Sequence, residues 1–204
     1  MLKQKKEIIV ISFILIILII RGFFIDWYRV PSDSMYPMIE RNEHIFINKL
    51  AYSLRIPFTK KHILAWHTPE RGDVIVFYEP KDNTILVKRV MAVGGDTIIF
   101  ENGEVSLNGN KAEYTKVNNL KYEPTPNIKQ QGFKETFANG QSEYILKTLT
   151  ERKYPEGYNN GRNAGEFVIP ANHLMMIGDN RDNSIDSRFI GTIPIDNVIG
   201  KVIY

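Results

Sequence analysis

The chain has 204 residues, of which 43% are hydrophobic, 24% are charged and none is cysteine. This length fits one domain, with or without an appendage, and the 11% of aromatic residues argue against a disordered chain. The lack of cysteine excludes disulfide scaffolds, thiolate zinc sites, iron–sulfur clusters and cysteine nucleophiles. Any catalytic chemistry therefore uses oxygen, nitrogen or carboxylate groups.

The formal net charge of +3 lies in the N-terminal segment. Residues 1–30 hold five of the 26 basic and two of the 23 acidic residues, which leaves 21 of each sign in the rest of the chain. A nucleic-acid-binding domain would carry a basic excess on its folded part. The sequence therefore predicts no nucleic-acid partner.

An apolar stretch near the N-terminus predicts a membrane anchor. From Ile8 to Ile25 the chain has 18 residues with one charge, Arg21, and a helix of that length reaches about 27 Å, close to the thickness of a hydrocarbon core. Three lysines precede it, so the positive-inside rule predicts that residues 1–7 are cytoplasmic, that 8–25 span the membrane and that 26–204 lie outside. The alternatives are a cleaved signal peptide, although no small-residue cleavage site follows, and a buried core helix.

Beyond residue 30, short runs rich in Val, Ile, Phe and Tyr predict β-strands. Asn102-Gly103 predicts a hairpin and Asn108-Gly109 a second turn, while no further amphipathic helix is predicted. Residues 111–164 are more polar and predict a β-rich lobe or mobile insertion. The predicted fold is all-β, with several antiparallel sheets in one exported domain behind one transmembrane helix. The predicted strands are His44–Leu50, Asp73–Tyr78, Thr84–Val93, Asp96–Glu101, Glu166–Ile169, His173–Ile177 and Asn197–Tyr204.

Three polar clusters could carry chemistry: two serines within residues 31–37, two adjacent cations within the apolar run 86–90, and a dense polar loop at 178–188. In a strand, Leu86 and Val90 share the face of Lys88, and Arg89 points the opposite way. Such burial lowers a lysine pKa from about 10.4, and a neutral lysine can activate a serine hydroxyl. On this segment alone, the alternative is a lysine at a strand edge that extends to water.

Other polar and apolar features have simpler interpretations. The loop at residues 179–188 lacks the spacing and glycine of an EF-hand and contains arginines that would repel calcium. The four histidines lack metal-ligand spacing, so we predict no metal site and no cofactor. The segment Ile63–Trp66 is either core or a second apolar patch that touches the bilayer.

Taken together, the polar segments resemble the successive sequence boxes of bacterial type I signal peptidases. The matching segments occur in the family's order behind one N-terminal anchor, and the last of them is highly specific. Two departures are Asp33 between the two serines and Gly94 where the family usually has proline; neither removes a catalytic group. The matching segments are Pro31-Ser32-x-Ser34-Met35-x-Pro37, Arg71-Gly72-Asp73-Val74-x-Val76-Phe77, Val87-Lys88-Arg89-Val90 with Gly95-Asp96, and Gly178 to Arg188.

This resemblance implies a membrane-bound serine endopeptidase that removes N-terminal signal peptides from exported preproteins at the outer face of the cytoplasmic membrane. By motif position Ser34 would be the nucleophile and Lys88 the general base, forming a Ser–Lys dyad. Ser32 would help the Ser34 backbone amide to bind the oxyanion. The implied partners are secretory preproteins and the lipid bilayer.

The same resemblance assigns supporting roles to residues of the last loop. Ser184 would form a hydrogen bond with Lys88 and orient it. Asp186 with Arg188, and Asp179 with Arg89, would form structural ion pairs. The rival functions are another Ser–Lys peptidase, such as a pilin-processing or self-cleaving type, and a membrane-anchored β-rich binding module with an inactive dyad.

Overall fold

A computed structural model describes residues 2–57, 59–125, 128–149 and 161–203. A long helix α1 (Leu2–Phe23) precedes a β-rich region that contains one short helix, α2 (Ser187–Ile190). The first nine strands are β1 (Ile25–Arg29), β2 (His44–Asn48), β3 (Ser53–Arg55), β4 (His62–Ala65), β5 (Val74–Tyr78), β6 (Ile85–Val93), β7 (Thr97–Glu101), β8 (Glu104–Leu107) and β9 (Asn110–Lys111). The others are β10 (Glu113–Thr125), β11 (Ile128–Thr136), β12 (Ser142–Thr148), β13 (Gly165–Val168), β14 (His173–Ile177), β15 (Ile193–Pro194) and β16 (Val198–Ile203).

Helix α1 ends two residues before the predicted end of the anchor, because the chain turns at Phe24 and enters β1 at Ile25. The carboxylate of Asp26 accepts hydrogen bonds from the Arg21 side chain and from the Trp27 backbone, both at 3.0 Å, which stabilises this change of direction. Among the residues that the structure describes, no helix is long and apolar enough to cross a membrane.

Seven antiparallel strands form the main sheet in the order β1-β2-β16-β5-β6-β14-β15. Each of the seven strand runs expected from the sequence corresponds to an observed strand. The sequence patterns did not indicate β1, β3, β4 or β15, which are short or lie next to the apolar N-terminal stretch. The prediction of a mostly β domain with antiparallel sheets is confirmed.

The register of the main sheet gives β6 a direction relative to α1. A row of paired residues crosses the sheet from Ile25, the first residue after the turn that ends α1, to Lys88 in β6. Ile85–Val87 lie on the α1 side of this row, and Arg89–Val93 lie on its far side. Strand β14 pairs with β6 only between Arg89 and Val93, so the segment Ile85–Lys88 keeps an open edge opposite β5 among the described strand pairs. The residues that form the row are Ile25, Asn48, Lys201, Ile75 and Lys88.

The core under the first half of the sheet includes residues from the loop between β1 and β2. Met35 and Ile39 are fully buried there and pack with Val30, Val76 and Val87. Burying side chains of this size stabilises the fold by roughly 1.5–3 kcal/mol each. Hydrophobic burial therefore holds the loop that contains Ser34 against the sheet.

Two smaller sheets correspond to the predicted turns and insertion. Asn102 and Asn108 have left-handed φ values of 52° and 51°, and each is followed by a glycine that also has a positive φ, as type I′ hairpin turns require. Strands β10, β11 and β12 form a three-stranded lobe, so the described part of the 111–164 insertion is β-rich, as predicted. Residues 126–127 and 150–160 of that insertion lie outside the described residues.

The segment at residues 63–66 is exposed. Ile63, Leu64 and Trp66 are 58%, 61% and 43% exposed, in and just after strand β4. Of the two alternatives for this segment, burial in the core is therefore wrong, and the apolar patch is what the structure contains.

Candidate active site

The two serines of the first cluster lie in the loop between β1 and β2. Hydrogen bonds from Val30 N to Glu43 O at 2.9 Å and from Asn42 N to Val30 O at 2.6 Å close the base of this loop. Arg41 Nε adds a bond of 3.1 Å to Pro31 O. With Met35 and Ile39 buried in the core, the loop holds its serines in a fixed position.

Ser34 and Lys88 meet in a buried site, although 54 residues separate them in the chain. Lys88 Nζ donates to Ser34 Oγ at 2.7 Å and to Val87 O at 2.9 Å. Only 3% of Lys88 is exposed, so the alternative of a lysine that extends to water is wrong. Ser32 Oγ lies 3.2 Å from Ser34 Oγ, which brings the third predicted side chain to the same place.

The environment of Lys88 makes the neutral amine more common than in a solvated lysine. Burial lowers the pKa of Lys88 from its ordinary value to about 8; Asp186 and Asp179 oppose this change, and Arg188 adds to it. At pH 7 such an amine is neutral in roughly one molecule in ten, compared with fewer than one in a thousand for a solvated lysine. The Ser34 hydroxyl therefore faces a base with usable strength near neutral pH.

The polar loop after β14 fixes the backbone of the nucleophile. Asn180 N donates to Ser34 O at 3.1 Å, and Asn180 Nδ2 donates to Asp33 O at 3.1 Å. The Asn180 side chain is fixed in turn by a bond of 2.6 Å from Gln130 Nε2 in the lobe. The sequence patterns assign no role to Asn180; its place inside the polar loop is the only signal.

Gly178 allows the same loop to approach Ser34 closely. A Cβ atom at this position would overlap the carbonyl oxygen of Ser34 and the hydroxyl of Ser184. Only glycine fits between these two residues without displacing one of them. This explains in physical terms why the loop begins with glycine.

Arg89 and Asp179 form one buried ion pair beside the site. Arg89 binds both carboxylate oxygens of Asp179 at 2.8 and 2.7 Å, as well as Gly72 O and Glu143. The guanidinium lies on the face of β6 opposite to Lys88, as the strand alternation predicts. The pair joins β6 to the polar loop.

Asp186 and Arg188 form the second pair. Arg188 Nε and Nη2 donate to the two carboxylate oxygens at 2.8 Å each. Asp186 also accepts from Gly178 N at 3.1 Å and caps helix α2. Asp182, the third aspartate of the loop, pairs with Arg162. Because all three carboxylates face arginines, the loop has the charge balance of a structural element and not of a calcium site.

Ser184 lies beside the site without a hydrogen bond to Lys88. The resemblance implies a bond to Lys88, whereas the partner that the structure gives this side chain is the Asp186 carboxylate, whose pKa it helps to lower. The two acceptors that Lys88 Nζ does contact are Ser34 Oγ and Val87 O. The hydroxyl of Ser184 instead packs against Gly178, which lies between it and the Ser34 carbonyl.

The chain is similar in sequence to several known proteins. The family model described as "Signal peptidase, peptidase S26" matches residues 4–204. Among curated relatives, proteins named "Signal peptidase I" from Rickettsia typhi and Rickettsia akari are 33% and 35% identical, over 97% and 92% of this chain and 78% and 73% of their own. The protein of that name from Pseudomonas fluorescens is 29% identical over 98% of this chain and 73% of its own.

A solved structure is also similar. It is a signal peptidase I from Enterococcus faecalis, which matches 68% of this chain and 100% of its own, at 19% identity and a TM-score of 0.38. The family model and the Rickettsia relatives are sufficient by themselves for the assignment, because each spans nearly the whole chain. The chain belongs to the signal peptidase family, peptidase family S26.

Proposed function

We propose that this serine peptidase removes signal peptides from exported preproteins, with Ser34 as the nucleophile and Lys88 as the general base. The observation that carries the proposal is the 2.7 Å contact between Ser34 Oγ and Lys88 Nζ in a buried site. It is supported by the lowered pKa of Lys88 and by the names of the relatives. The Ser–Lys dyad is typical of this family.

The proposed reaction has two halves. Ser34 Oγ attacks the scissile carbonyl while neutral Lys88 takes its proton, and the developing oxyanion accepts hydrogen bonds from the Ser34 backbone amide and the Ser32 hydroxyl. Protonated Lys88 then donates that proton to the leaving amine as the C–N bond breaks, which leaves an ester on Ser34. In the second half, Lys88 deprotonates a water molecule that hydrolyses the ester and restores the serine.

The open edge of β6 suggests how a substrate approaches this pair. An extended peptide can add as a strand along Ile85–Lys88, using backbone groups that have no strand partner on that side. The α1 end of this edge is at Ile85. A preprotein whose apolar segment lies beside α1 would therefore pass Ile85 first and reach Ser34 and Lys88 afterwards.

Helix α1 is the proposed anchor at the cytoplasmic membrane. In this proposal residues 1–7 are cytoplasmic, 8–25 pass through the bilayer, and 26–204 form the catalytic region outside. Support comes from the exposed apolar side chains along α1, such as Phe13 at 64%. Arg21 lies 4.2 Å from the ring centre of Trp27, which gives the end of the helix an aromatic and cationic pair suited to a lipid interface.

The test is cleavage of a preprotein by the purified full-length chain in detergent. Cleavage should continue in the presence of a chelator or a thiol-alkylating reagent, because the chain has no cysteine and the proposed mechanism uses no metal. Ser34→Ala should remove the activity. If Ser34→Ala retained the function, or if chelation reversibly abolished cleavage, the Ser–Lys assignment would be wrong.

Replacing Ser184 with alanine should lower kcat more than it lowers stability. We expect kcat to fall roughly tenfold to a thousandfold, the range for groups that position a base, because Ser184 holds Asp186, whose charge acts on Lys88. The free energy of unfolding should fall by only about 1 kcal/mol, the usual net contribution of one hydrogen bond, because the Ser184 side chain interacts with the Asp186 carboxylate. Steady-state kinetics and thermal unfolding measure the two effects, and unchanged turnover would restrict Ser184 to packing.

A further inference from the structure

A cavity of about 650 Å³ lies between the loop that follows Ser34 and the three-stranded lobe β10–β12. Pro37 is three residues after Ser34, so their Cα atoms lie within about 11 Å of each other. A peptide bound at the catalytic pair can therefore reach this cavity. Its apolar lining consists of Pro37, Met38, Val117, Leu120 and Tyr144.

The register of the main sheet indicates which part of a substrate would reach it. Ile85 is on the α1 side of Lys88, and Arg89 is on the far side, as the cross-strand row shows. Arg89 also lines the cavity. A preprotein that enters from the α1 side therefore passes the dyad first, and the part that reaches the cavity is the segment after the scissile bond.

The two charged groups in the cavity wall, Arg89 and Glu143, already have partners. Arg89 is bound to Asp179, Gly72 O and Glu143, and Glu143 also accepts a bond of 2.6 Å from Gln141 Nε2. No ligand group is needed to satisfy them. The described lining contains one guanidinium, that of Arg89, and one carboxylate, that of Glu143, and the two pair with each other at 2.8 Å. This described wall therefore presents no unpaired charge and favours an apolar occupant.

We propose that this cavity, which we call the mature-side pocket, binds one apolar side chain of the preprotein segment that follows the scissile bond. The inference rests on the proposed function. An extended chain advances about 3.3 Å per residue, so the span from Ser34 to Pro37 corresponds to the second to fourth residue after that bond. The lobe thus acts as a specificity element for the mature end of the substrate.

The first measurement is a substrate scan with the full-length chain in detergent. A reference preprotein carries serine at the first five positions after the scissile bond, and leucine or glutamate is placed at one position at a time. At one position between the second and fourth, leucine should raise kcat/KM about tenfold relative to serine, the usual effect of a small apolar pocket. Glutamate there should lower it.

The second measurement links that preference to the pocket. Tyr144 is 56% exposed and lines the cavity, so Tyr144→Ala should bring kcat/KM for the leucine substrate close to that for the serine reference measured with the same variant. Ser142 is exposed and also lines the cavity. Ser142→Trp would fill the cavity with the indole ring and should therefore also abolish the leucine preference. Leu149→Ala is the matched control, because Leu149 is 63% exposed in the same part of the chain but lies outside the cavity lining.

The outcomes separate this inference from the proposed function. If the unmodified chain cleaves no preprotein, the proposed function fails. If it cleaves all of them at similar rates, the pocket assignment is wrong while the function stands. A leucine preference that survives both Tyr144→Ala and Ser142→Trp, in variants that cleave the serine reference normally, would also overturn the pocket.

Discussion

Replacing Lys88 with arginine should abolish cleavage while the protein stays folded. A guanidinium does not lose its proton in proteins, so the variant keeps a positive charge beside Ser34 and has no base. We expect kcat/KM to fall by roughly 10³-fold or more, nearly as far as in Lys88→Ala. Substantial activity in Lys88→Arg would show that Lys88 acts through charge or structure and not as a base.

The pH profile of the unmodified enzyme gives an independent test of the same role. Because the pKa of Lys88 is lowered to about 8, the amine is protonated and inactive below that pH. The value of kcat/KM should therefore rise about tenfold per pH unit up to about pH 8 and then level off. The observed pKa describes the coupled groups of the free enzyme. A rising limb near pH 10.4 would exclude the neutral lysine.

Lys88→Met provides the stability control for this prediction. In the unmodified chain, the buried site destabilises the charged form of Lys88. The folded state bears this full penalty below about pH 8, where Lys88 is protonated. Between pH 8 and 10.4 the unfolded chain still holds a proton that the folded chain has lost, so the free energy of unfolding rises with pH. Lys88→Met should remove this dependence and raise stability at pH 7 by a few kcal/mol, while being inactive.

Replacing Asp186 with alanine should cause the largest loss of stability of the changes considered. The carboxylate is fully buried, binds Arg188 at two positions and accepts the Gly178 amide. Its removal leaves the buried Arg188 charge unpaired, which costs about 3–5 kcal/mol. Asp196→Ala is the control, because the Asp196 side chain is 81% exposed and its removal should change stability by no more than about 0.5 kcal/mol.

The milder variant Asp186→Asn tests how this carboxylate acts on the dyad. Its negative charge raises the pKa of Lys88, so removing the charge should lower that pKa. The rising limb of kcat/KM should then move below pH 8, and the variant should keep a larger share of its maximal activity at pH 6. A limb that stays in place or moves to higher pH would mean that Asp186 contributes only to folding.

Much of the site could be predicted from local sequence. The alternation along β6 places Lys88 and Arg89 on opposite faces whatever lies around them, since a strand repeats every two residues. The Asn-Gly pairs at 102–103 and 108–109 encode their turns through left-handed backbone conformations that few other residues adopt readily. Motif order along the chain was enough to select Ser34 and Lys88.

Other features could not be predicted, because they depend on distant segments. The role of Asn180 depends on its distance to Ser34 and to Gln130, which no local pattern encodes. The predicted bond from Ser184 to Lys88 is absent because the tertiary structure brings Ser34 and Val87 to the lysine amine and Asp186 to Ser184. Strand β1 was missed because its apolar residues continue the pattern of the preceding helix.

The sequence by itself determined the family, the β-rich character, the serine and lysine that carry the proposed chemistry, and the absence of thiol chemistry. These features depend on residue identity, local periodicity and motif order. Only the tertiary structure decided that Lys88 is buried and not extended to water, that Ile63–Trp66 is exposed, and that the lobe forms a pocket beside the nucleophile loop. Burial and pockets arise from contacts between segments far apart in the chain, so no single stretch of sequence contains them.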